Sequence, residues 1–206
     1  MPKLRVTANS APQRDFLACS VYEALYGGAA GGGKTYATII DPLRYIDVSD
    51  YAAIVFRESF VELQKAVMPT AMKIYTGAGA TWNESKKRFT FSSGATIDLG
   101  YLETANDWTN YQGTQYVGQY FDELTNIKWI NYEKLGIWNR SASGGISPYR
   151  RATSNPGGVS HSDVKQYFVD TCPALKDGEE RWSTLANMYW QPMKPGSTFF
   201  WKAENG

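Results

Sequence analysis

Eight residues near the amino terminus have the types and spacing of a loop that binds phosphate. The segment GAAGGGKT fits the pattern GxxxxGK[ST]. Small residues let successive backbone N–H groups surround a β-phosphate, and the lysine reaches the β- and γ-oxygens while the threonine hydroxyl joins the Mg²⁺ shell. The alternative is a Gly-rich surface turn that binds nothing. The predicted nucleotide-binding residues are Gly28, Ala29, Ala30, Gly31, Gly32, Gly33, Lys34 and Thr35.

Two adjacent carboxylates are the second candidate for chemistry. Asp122 and Glu123 follow the apolar run YVGQYF, which ends at Phe121. In a fold built on a phosphate loop, this strand end lies beside the loop. Asp122 is therefore predicted to hold Mg²⁺, directly or through water, and Glu123 to orient and deprotonate the attacking water. The alternative is a solvated acidic turn.

The elements that must position these groups follow from apolar runs and their spacing. Strands are predicted over 21–26, 51–56, 116–121 and 149–153, and helices over 36–40, 58–75, 129–138 and 162–169. A β-hairpin is predicted over 88–102, turning at Ser92-Ser93-Gly94. Alternating strands and helices, with the hairpin as an insert, predict an α/β fold whose mostly parallel sheet is covered by helices.

Composition excludes several other classes of protein. The 206 residues carry 21 Lys and Arg against 20 Asp and Glu, so no global positive charge argues for nucleic acid. Cys19 and Cys172 form no CxxC pair, and His161 is the only histidine, which argues against a disulfide scaffold, a structural zinc site and a His-rich metal centre. With neither a signal-peptide pattern nor a long apolar run, the chain is expected to be soluble and intracellular.

Four further segments, taken with the phosphate loop and in this order, carry a family resemblance. They are PQRDF at 12–16, FRESFVEL at 56–63, YQGTQY at 111–116 and TSNPGG at 153–158. This order resembles the large terminase subunit of tailed bacteriophages, over about residues 12–170. That family's ATPase moves double-stranded DNA into a procapsid. The resemblance implies a P-loop NTPase of the additional-strand, RecA-like class that uses ATP and Mg²⁺.

The resemblance also implies roles for residues outside the two motifs. It assigns Gln13 to adenine recognition, and Thr153, Ser154 and Asn155 to a coupling motif that senses the γ-phosphate. The alternative for the last three is ordinary turn chemistry.

Arg57 follows the strand YAAIVF, at a place where the family has a conspicuous arginine. We expect an arginine finger, in cis or towards a neighbouring subunit, and the alternative is a salt bridge with Glu58 or Glu62. Many terminases have a basic residue within the phosphate loop where this chain has Ala30, which places more weight on Arg57.

The resemblance implies partners, a location and three regions. The partners are double-stranded DNA, portal protein, a small terminase subunit and further copies of the chain in a pentameric ring. The expected location is the host cytoplasm, with transient docking on the procapsid portal and no association with a membrane. The regions are an arm at 1–20, the ATPase domain at 21–170 and an aromatic-rich segment at 171–206. That segment is expected to lead to an absent nuclease domain, so these residues are not expected to cleave DNA.

Two alternatives to the terminase hypothesis stay open at the level of sequence. One is another P-loop DNA motor, such as a helicase-like or AAA-type ATPase, and the other is a remnant that binds nucleotide without turnover. The densest basic spots, at 86–88 and 150–151, are candidates for DNA contact or simply for solvated faces. The tryptophans of the tail are expected to pack rather than to stack on bases.

Overall fold

The computed structural model describes residues 6–28, 31–141 and 145–170, together with the backbone of three short strands beyond them. The helices are α1 (Ala11–Ala18), α2 (Lys34–Ile40), α3 (Phe60–Glu62), α4 (Met68–Gly77), α5 (Trp129–Gly136) and α6 (His161–Lys165). The strands are β1 (Glu23–Gly27), β2 (Ala52–Arg57), β3 (Thr81–Asn83), β4 (Arg88–Thr90), β5 (Thr96–Tyr101), β6 (Gly118–Phe121), β7 (Tyr149–Ser154), β8 (Trp182–Ser183), β9 (Met188–Tyr189) and β10 (Thr198–Trp201).

One large sheet organises the chain. Its strand order is β10-β1-β7-β6-β2-β5-β4-β3, while β8 and β9 pair with each other. The five neighbouring strands β1, β7, β6, β2 and β5 run parallel, and β10, β4 and β3 are antiparallel to their neighbours. The predicted mostly parallel sheet is therefore confirmed. Strand β7 lies between β1 and β6. The phosphate loop follows β1 and the two carboxylates follow β6, so β7 separates the strands that lead to these two motifs.

The central strands are covered on both faces, as β2 illustrates. Ala53 and Val55 pack into one apolar cluster with residues of α2 and α4. Ile54 and Phe56 pack into a second cluster with residues of α5 and α6. A parallel strand buried on both faces needs apolar residues at successive positions, which explains why β2 is a continuous run rather than an alternating pattern.

The helix predicted over 58–75 is present, with an irregular turn inside it. It consists of α3, a π-helical turn at Leu63–Val67 and α4. Pro69 lies in the first turn of α4. Proline has no N–H to donate and its ring crowds the preceding turn, which accounts for the widened turn at this point.

The predicted hairpin is present, but it is not an insert. Strands β4 and β5 are antiparallel, and Gly94 turns between them with φ +102°. Strand β5 also pairs with β2 in parallel register, so one arm of the hairpin belongs to the central sheet. The short edge strand β3 was not predicted; it is mostly exposed, and its Trp82 ring lies 4.4 Å from that of Phe89.

The prediction of Arg150 and Arg151 as a DNA contact or a solvated face is wrong. Their exposed fractions are 4% and 1%, because β7 is a central strand covered on both sides. Arg150 Nη1 lies 2.8 Å from Glu23 Oε1. Arg151 donates to the backbone carbonyls of Cys19 and Val21, at 2.8 and 2.9 Å. Both arginines therefore join elements inside the domain.

The other basic spot lies at the sheet edge. Lys86 is exposed, Lys87 donates to Glu84, and Arg88 forms two hydrogen bonds with Asp98, at 2.6 and 2.7 Å.

The expected packing of the tail tryptophans concerns side chains outside the described residues. Among the helices of the described residues, none has the length and apolar character needed to cross a bilayer.

Replacing Arg150 with methionine is expected to lower the free energy of unfolding by about 3–5 kcal/mol, because it leaves the buried Glu23 without its cation. Tyr132 and Tyr167, each 2.8 Å from this carboxylate, donate hydrogen bonds but carry no charge. Urea denaturation measures the change, with the exposed Lys86→Met as control, for which we expect a shift within about 0.5 kcal/mol. Equal, small shifts in both variants would contradict a buried ion pair.

Candidate active site

The register of the parallel strands brings the candidate chemical groups to one edge of the sheet. Phe56 of β2 is paired with Phe121 of β6, and Phe121 is paired with Ala152 of β7. The next residue of each strand is therefore a neighbour of the others at the carboxyl ends. In open α/β sheets, ligands bind outside this edge. Arg57, Asp122 and Thr153 meet there, although 96 positions of sequence separate the first from the last.

The phosphate loop lies at the same edge, directly after β1. Gly33 has φ +70° and ends the loop at the first turn of α2, a conformation that favours glycine. Tyr26 donates to the carbonyl of Gly32 at 2.8 Å, and Gln13 Nε2 donates to the carbonyl of Gly33 at 2.8 Å. These two bonds hold the carbonyls of Gly32 and Gly33 towards β1 and α1. Ala29 and Ala30 lie outside the described residues.

A cavity of about 400 Å³ adjoins this loop. Its walls come from the segment before α1, the first turn of α1, the end of β1, the glycines of the loop and Lys34. An N-terminal helix end with adjacent free N–H groups favours an anion, because the helix dipole and the amide hydrogens act in the same direction. The cavity is thus placed to take a phosphorylated ligand.

Gln13 lines this cavity and is buried, with 1% of its surface exposed. Its Oε1 accepts from the backbone N–H of Asn9 at 2.6 Å, while its Nε2 is bound to the loop carbonyl. A β-carbon at Gly33 would stand 2.0 Å from that Nε2, so a side chain there would displace the glutamine amide. Gln13 therefore supports the loop, and its role in adenine recognition stays a prediction.

Lys34 is buried and lies between the loop and the carboxylates. Its Nζ donates to the carbonyl of Gly28 at 3.1 Å. Burial lowers the pKa of the ammonium group, and the nearby carboxylates of Glu123 and Asp122 act in the opposite direction. The lysine is thus held inside the site by partners that a phosphate group can replace.

Asp122 is fully buried and accepts hydrogen bonds from three different elements of the site. Thr35 Oγ1 donates to it, at 3.0 Å from Oδ2 and 3.2 Å from Oδ1. Thr153 Oγ1 donates to Oδ1 at 2.7 Å, and Arg57 Nη1 contacts Oδ2 at 2.6 Å. The loop and the strand ends are therefore in direct hydrogen-bond contact.

This donor set fits Mg²⁺. The ion prefers oxygen ligands, and sites for phosphate substrates commonly use one or two carboxylates, with water and the phosphates completing the octahedron. Asp122 and Thr35 supply a carboxylate and a hydroxyl within hydrogen-bond distance of each other. Within the described part of the chain, no cluster of three or more His, Cys, Asp or Glu residues offers an all-protein site.

Arg57 is directed into the molecule. Its exposed fraction is 9%, and besides the bond to Asp122 its Nη2 lies 3.7 Å from Glu62 Oε2. The salt-bridge alternative is thus present in the geometry, although the closer partner is Asp122 rather than Glu58 or Glu62. An arginine-finger role stays a prediction and requires the contact with Asp122 to break.

Glu123 adopts a left-handed conformation, with φ +58° and ψ +55°. Such a conformation is uncommon for a residue with a β-carbon and occurs where surrounding contacts enforce it. Here the backbone N–H of Glu123 donates to Thr153 Oγ1 at 3.1 Å, and Asn155 Nδ2 donates to Glu123 Oε1 at 2.6 Å. The turn directs the two adjacent carboxylates to different neighbours, so each is available for a separate task.

The three residues assigned to coupling have different partners. Thr153 contacts Asp122 and Asn155 contacts Glu123, whereas Ser154 donates to its neighbour's carbonyl at 3.0 Å and lies 3.4 Å from Thr125 Oγ1. Side chains alternate in direction along a strand, which separates the middle residue from the other two. The structure thus brings Thr153 and Asn155 to the carboxylates, but not Ser154.

Sequence reasoning missed Tyr26 as part of the site. Its hydroxyl contacts a carbonyl six residues further along, a contact that exists only once the loop has folded back. A tyrosine at the end of an apolar strand carries no signal that separates it from a core residue. The sequence analysis also missed the hydrogen bond between Asn155 and Glu123, because the two residues belong to different motifs.

Comparisons with known proteins identify a family and several similar folds. The family described as "Terminase large subunit, T4likevirus-type, N-terminal" matches residues 25–166. No curated protein matches the chain by sequence. The large terminase of a thermophilic bacteriophage is similar in structure, with a TM-score of 0.58 at 16% identity, over 80% of this chain and 43% of that one.

Two further solved structures share the fold. The ATPase domain of the Thermus phage P74-26 large terminase has a TM-score of 0.59 at 10% identity, over 92% of this chain and 79% of that one. The bacteriophage HK97 large terminase has a TM-score of 0.57 at 15% identity, over 86% of this chain and 42% of that one. The chain therefore spans less than half of the HK97 protein and of the thermophilic phage terminase.

At these identities the likeness concerns the fold, and it confirms the predicted RecA-like P-loop architecture. The family match covers more than two thirds of the chain, including the phosphate loop from Gly28, both carboxylates and the coupling residues. This chain therefore belongs to the family of terminase large subunits, of which it contains the amino-terminal part.

Proposed function

We propose that this chain is a Mg²⁺-dependent ATPase that drives double-stranded DNA into a viral procapsid. The observation that carries the proposal is the contact between Thr35 and Asp122, at 3.0 Å. It joins the phosphate loop to the carboxylate pair at the edge of a parallel sheet where ligands bind. Two alternatives were left open by the sequence. The family match disfavours a helicase or AAA-type motor. The presence of Lys34, Asp122 and Glu123 at one site disfavours a remnant that binds nucleotide without turnover.

Binding of ATP is assigned to the loop. The backbone N–H groups of Gly31 to Lys34 are assigned to the β-phosphate, and the Lys34 ammonium to the β- and γ-oxygens in place of its own loop carbonyl. Gln13, buried beside the same cavity, contacts the adenine. Mg²⁺ held by Thr35 and Asp122 would neutralise charge on the phosphate oxygens.

Hydrolysis is assigned to Glu123. A carboxylate at the tip of the neighbouring strand can accept a proton from a water aligned with the γ-phosphorus. The Asn155 amide holds one carboxylate oxygen, Oε1, which leaves the other for that water. Asn155 Oδ1 is buried without a hydrogen-bond partner, so it can accept from the same water. Asn155 is thus a positioning residue for the base.

The partners are proposed from family membership. We assign double-stranded DNA as the substrate moved, and portal protein and a small terminase subunit as docking partners in the host cytoplasm. Another similar structure is named for the bacteriophage phi29 viral genome packaging motor assembly, with a TM-score of 0.51 at 15% identity. A homo-oligomeric ring, pentameric by resemblance, is the assembly we propose for this chain.

Replacing Glu123 with glutamine tests the assignment of the base. The change keeps the shape and the hydrogen bond from Asn155 but cannot accept a proton, so we expect kcat for ATP hydrolysis to fall by at least about 100-fold. Affinity for a fluorescent ADP analogue should stay within about twofold of the original, since Glu123 is not among the residues that bind phosphate. Phosphate release and equilibrium fluorescence measure the two quantities.

The control for this variant is Glu133→Gln, which removes an exposed carboxylate on α5. Its turnover should equal that of the unaltered protein. Turnover of Glu123→Gln at the level of this control would contradict the assignment. If the unaltered protein binds the ADP analogue but releases no phosphate, with or without DNA, the remnant hypothesis is correct instead.

Replacing Asn155 with alanine tests the positioning role. A hydrogen bond to a charged group contributes about 1.5–3 kcal/mol, so we expect kcat to fall roughly 10- to 100-fold while KM changes little. Ser154→Ala is the matched control, because its hydroxyl contacts the backbone carbonyl of Asn155 and the side chain of Thr125 but not Glu123, and its kcat should stay within about twofold. Equal losses in both variants, or a rise in KM alone, would contradict the role.

A further inference from the structure

The ion pair between Arg57 and Asp122 lies where the proposed metal has to bind. Asp122 has no exposed surface, and both of its carboxylate oxygens already accept hydrogen bonds. Oδ1 accepts from Thr153 and Thr35, and Oδ2 accepts from Arg57 and Thr35. A cation that approaches this carboxylate must therefore take the place of a donor that is already there.

Of these donors, Arg57 is the one that carries charge. A buried carboxylate is costly unless a cation or several hydrogen bonds compensate it. Threonine hydroxyls can rotate to accommodate a metal and remain in its shell, whereas a guanidinium has no lone pair and cannot share the same oxygen position with Mg²⁺. Arg57 and the metal therefore exclude each other at Oδ2.

Arg57 is also held in a way that permits its release. Its buried Nε has no hydrogen-bond partner, so the guanidinium is bound at Asp122 through Nη1 rather than through a two-pronged contact. Glu62, whose side chain is 36% exposed, lies 3.7 Å from Nη2 on the outer side. A second carboxylate is thus within reach of the arginine when the first is taken.

We propose that Arg57 is the counterion of Asp122 in the nucleotide-free protein, and that Mg²⁺ arriving with nucleotide displaces it towards Glu62. The proposal rests on the proposed function, since it takes Asp122 as a metal ligand. It makes Arg57 a cation that competes with the metal for Oδ2 of Asp122. It also couples metal binding to a movement of the Arg57 side chain at the end of β2.

The test is the Mg²⁺ dependence of binding of a fluorescent ADP analogue to the full chain. Arg57→Met keeps an apolar side chain of similar length and removes the competing cation. Because a charge-assisted hydrogen bond no longer has to be broken, we expect the half-saturating Mg²⁺ concentration to fall about tenfold. Binding of the analogue in EDTA should be unchanged within about twofold.

The matched control is Arg88→Met, which removes another arginine bound to a carboxylate, that of Asp98, away from the phosphate loop. Its Mg²⁺ dependence should equal that of the unaltered protein. An unchanged or higher half-saturating concentration in Arg57→Met would overturn the proposal while leaving nucleotide binding intact. Absence of binding in the unaltered protein, in EDTA and in Mg²⁺ alike, would instead refute the proposed function and this inference with it.

A second measurement does not depend on the folding of a variant. Crystals of the unaltered protein with ADP can be compared in EDTA and in Mg²⁺. We expect the Arg57–Asp122 contact, 2.6 Å in the present structure, to persist in EDTA and to be broken when Mg²⁺ is bound. An intact contact beside a bound Mg²⁺ would overturn the proposal.

Discussion

The buried negative charge of Asp122 is the constraint on which the rest of the site depends. Removing a carboxylate from water costs several kcal/mol unless donors surround it closely. Thr35, Thr153 and Arg57 meet this requirement from three different elements, α2, β7 and β2. Satisfying one carboxylate therefore fixes the position of the phosphate loop's helix against the sheet.

The parallel sheet makes that arrangement possible, because its strands deliver their carboxyl ends to one edge in a fixed register. The same register separates functions within a short segment. Thr153 and Asn155 project to the two carboxylates, while Ser154 between them contacts the following turn. The left-handed turn at Glu123 divides the acidic pair in the same way. Adjacent residues thus serve different partners through backbone geometry rather than through distinct motifs.

Much of the fold could be predicted from local patterns, and the failures have physical reasons. Continuous apolar runs located the central strands, since burial on both faces leaves a strong signal. Strand β3 was missed because three mostly exposed residues leave none. Arg150 and Arg151 were predicted at the surface, because two adjacent charged residues normally lie there. The sequence does not reveal that their strand is central, or that Glu23 and several backbone carbonyls pair with them inside the domain.

The sequence by itself determined the phosphate loop, the carboxylate pair and the alternation of strands and helices, because each depends on residue types at short spacing. Only the tertiary structure decided which groups meet. The contacts of Asp122 with Arg57 and Thr35, and of Glu123 with Asn155, join residues 32–87 positions apart. They depend on the order and register of strands, which arise from the packing of the whole domain.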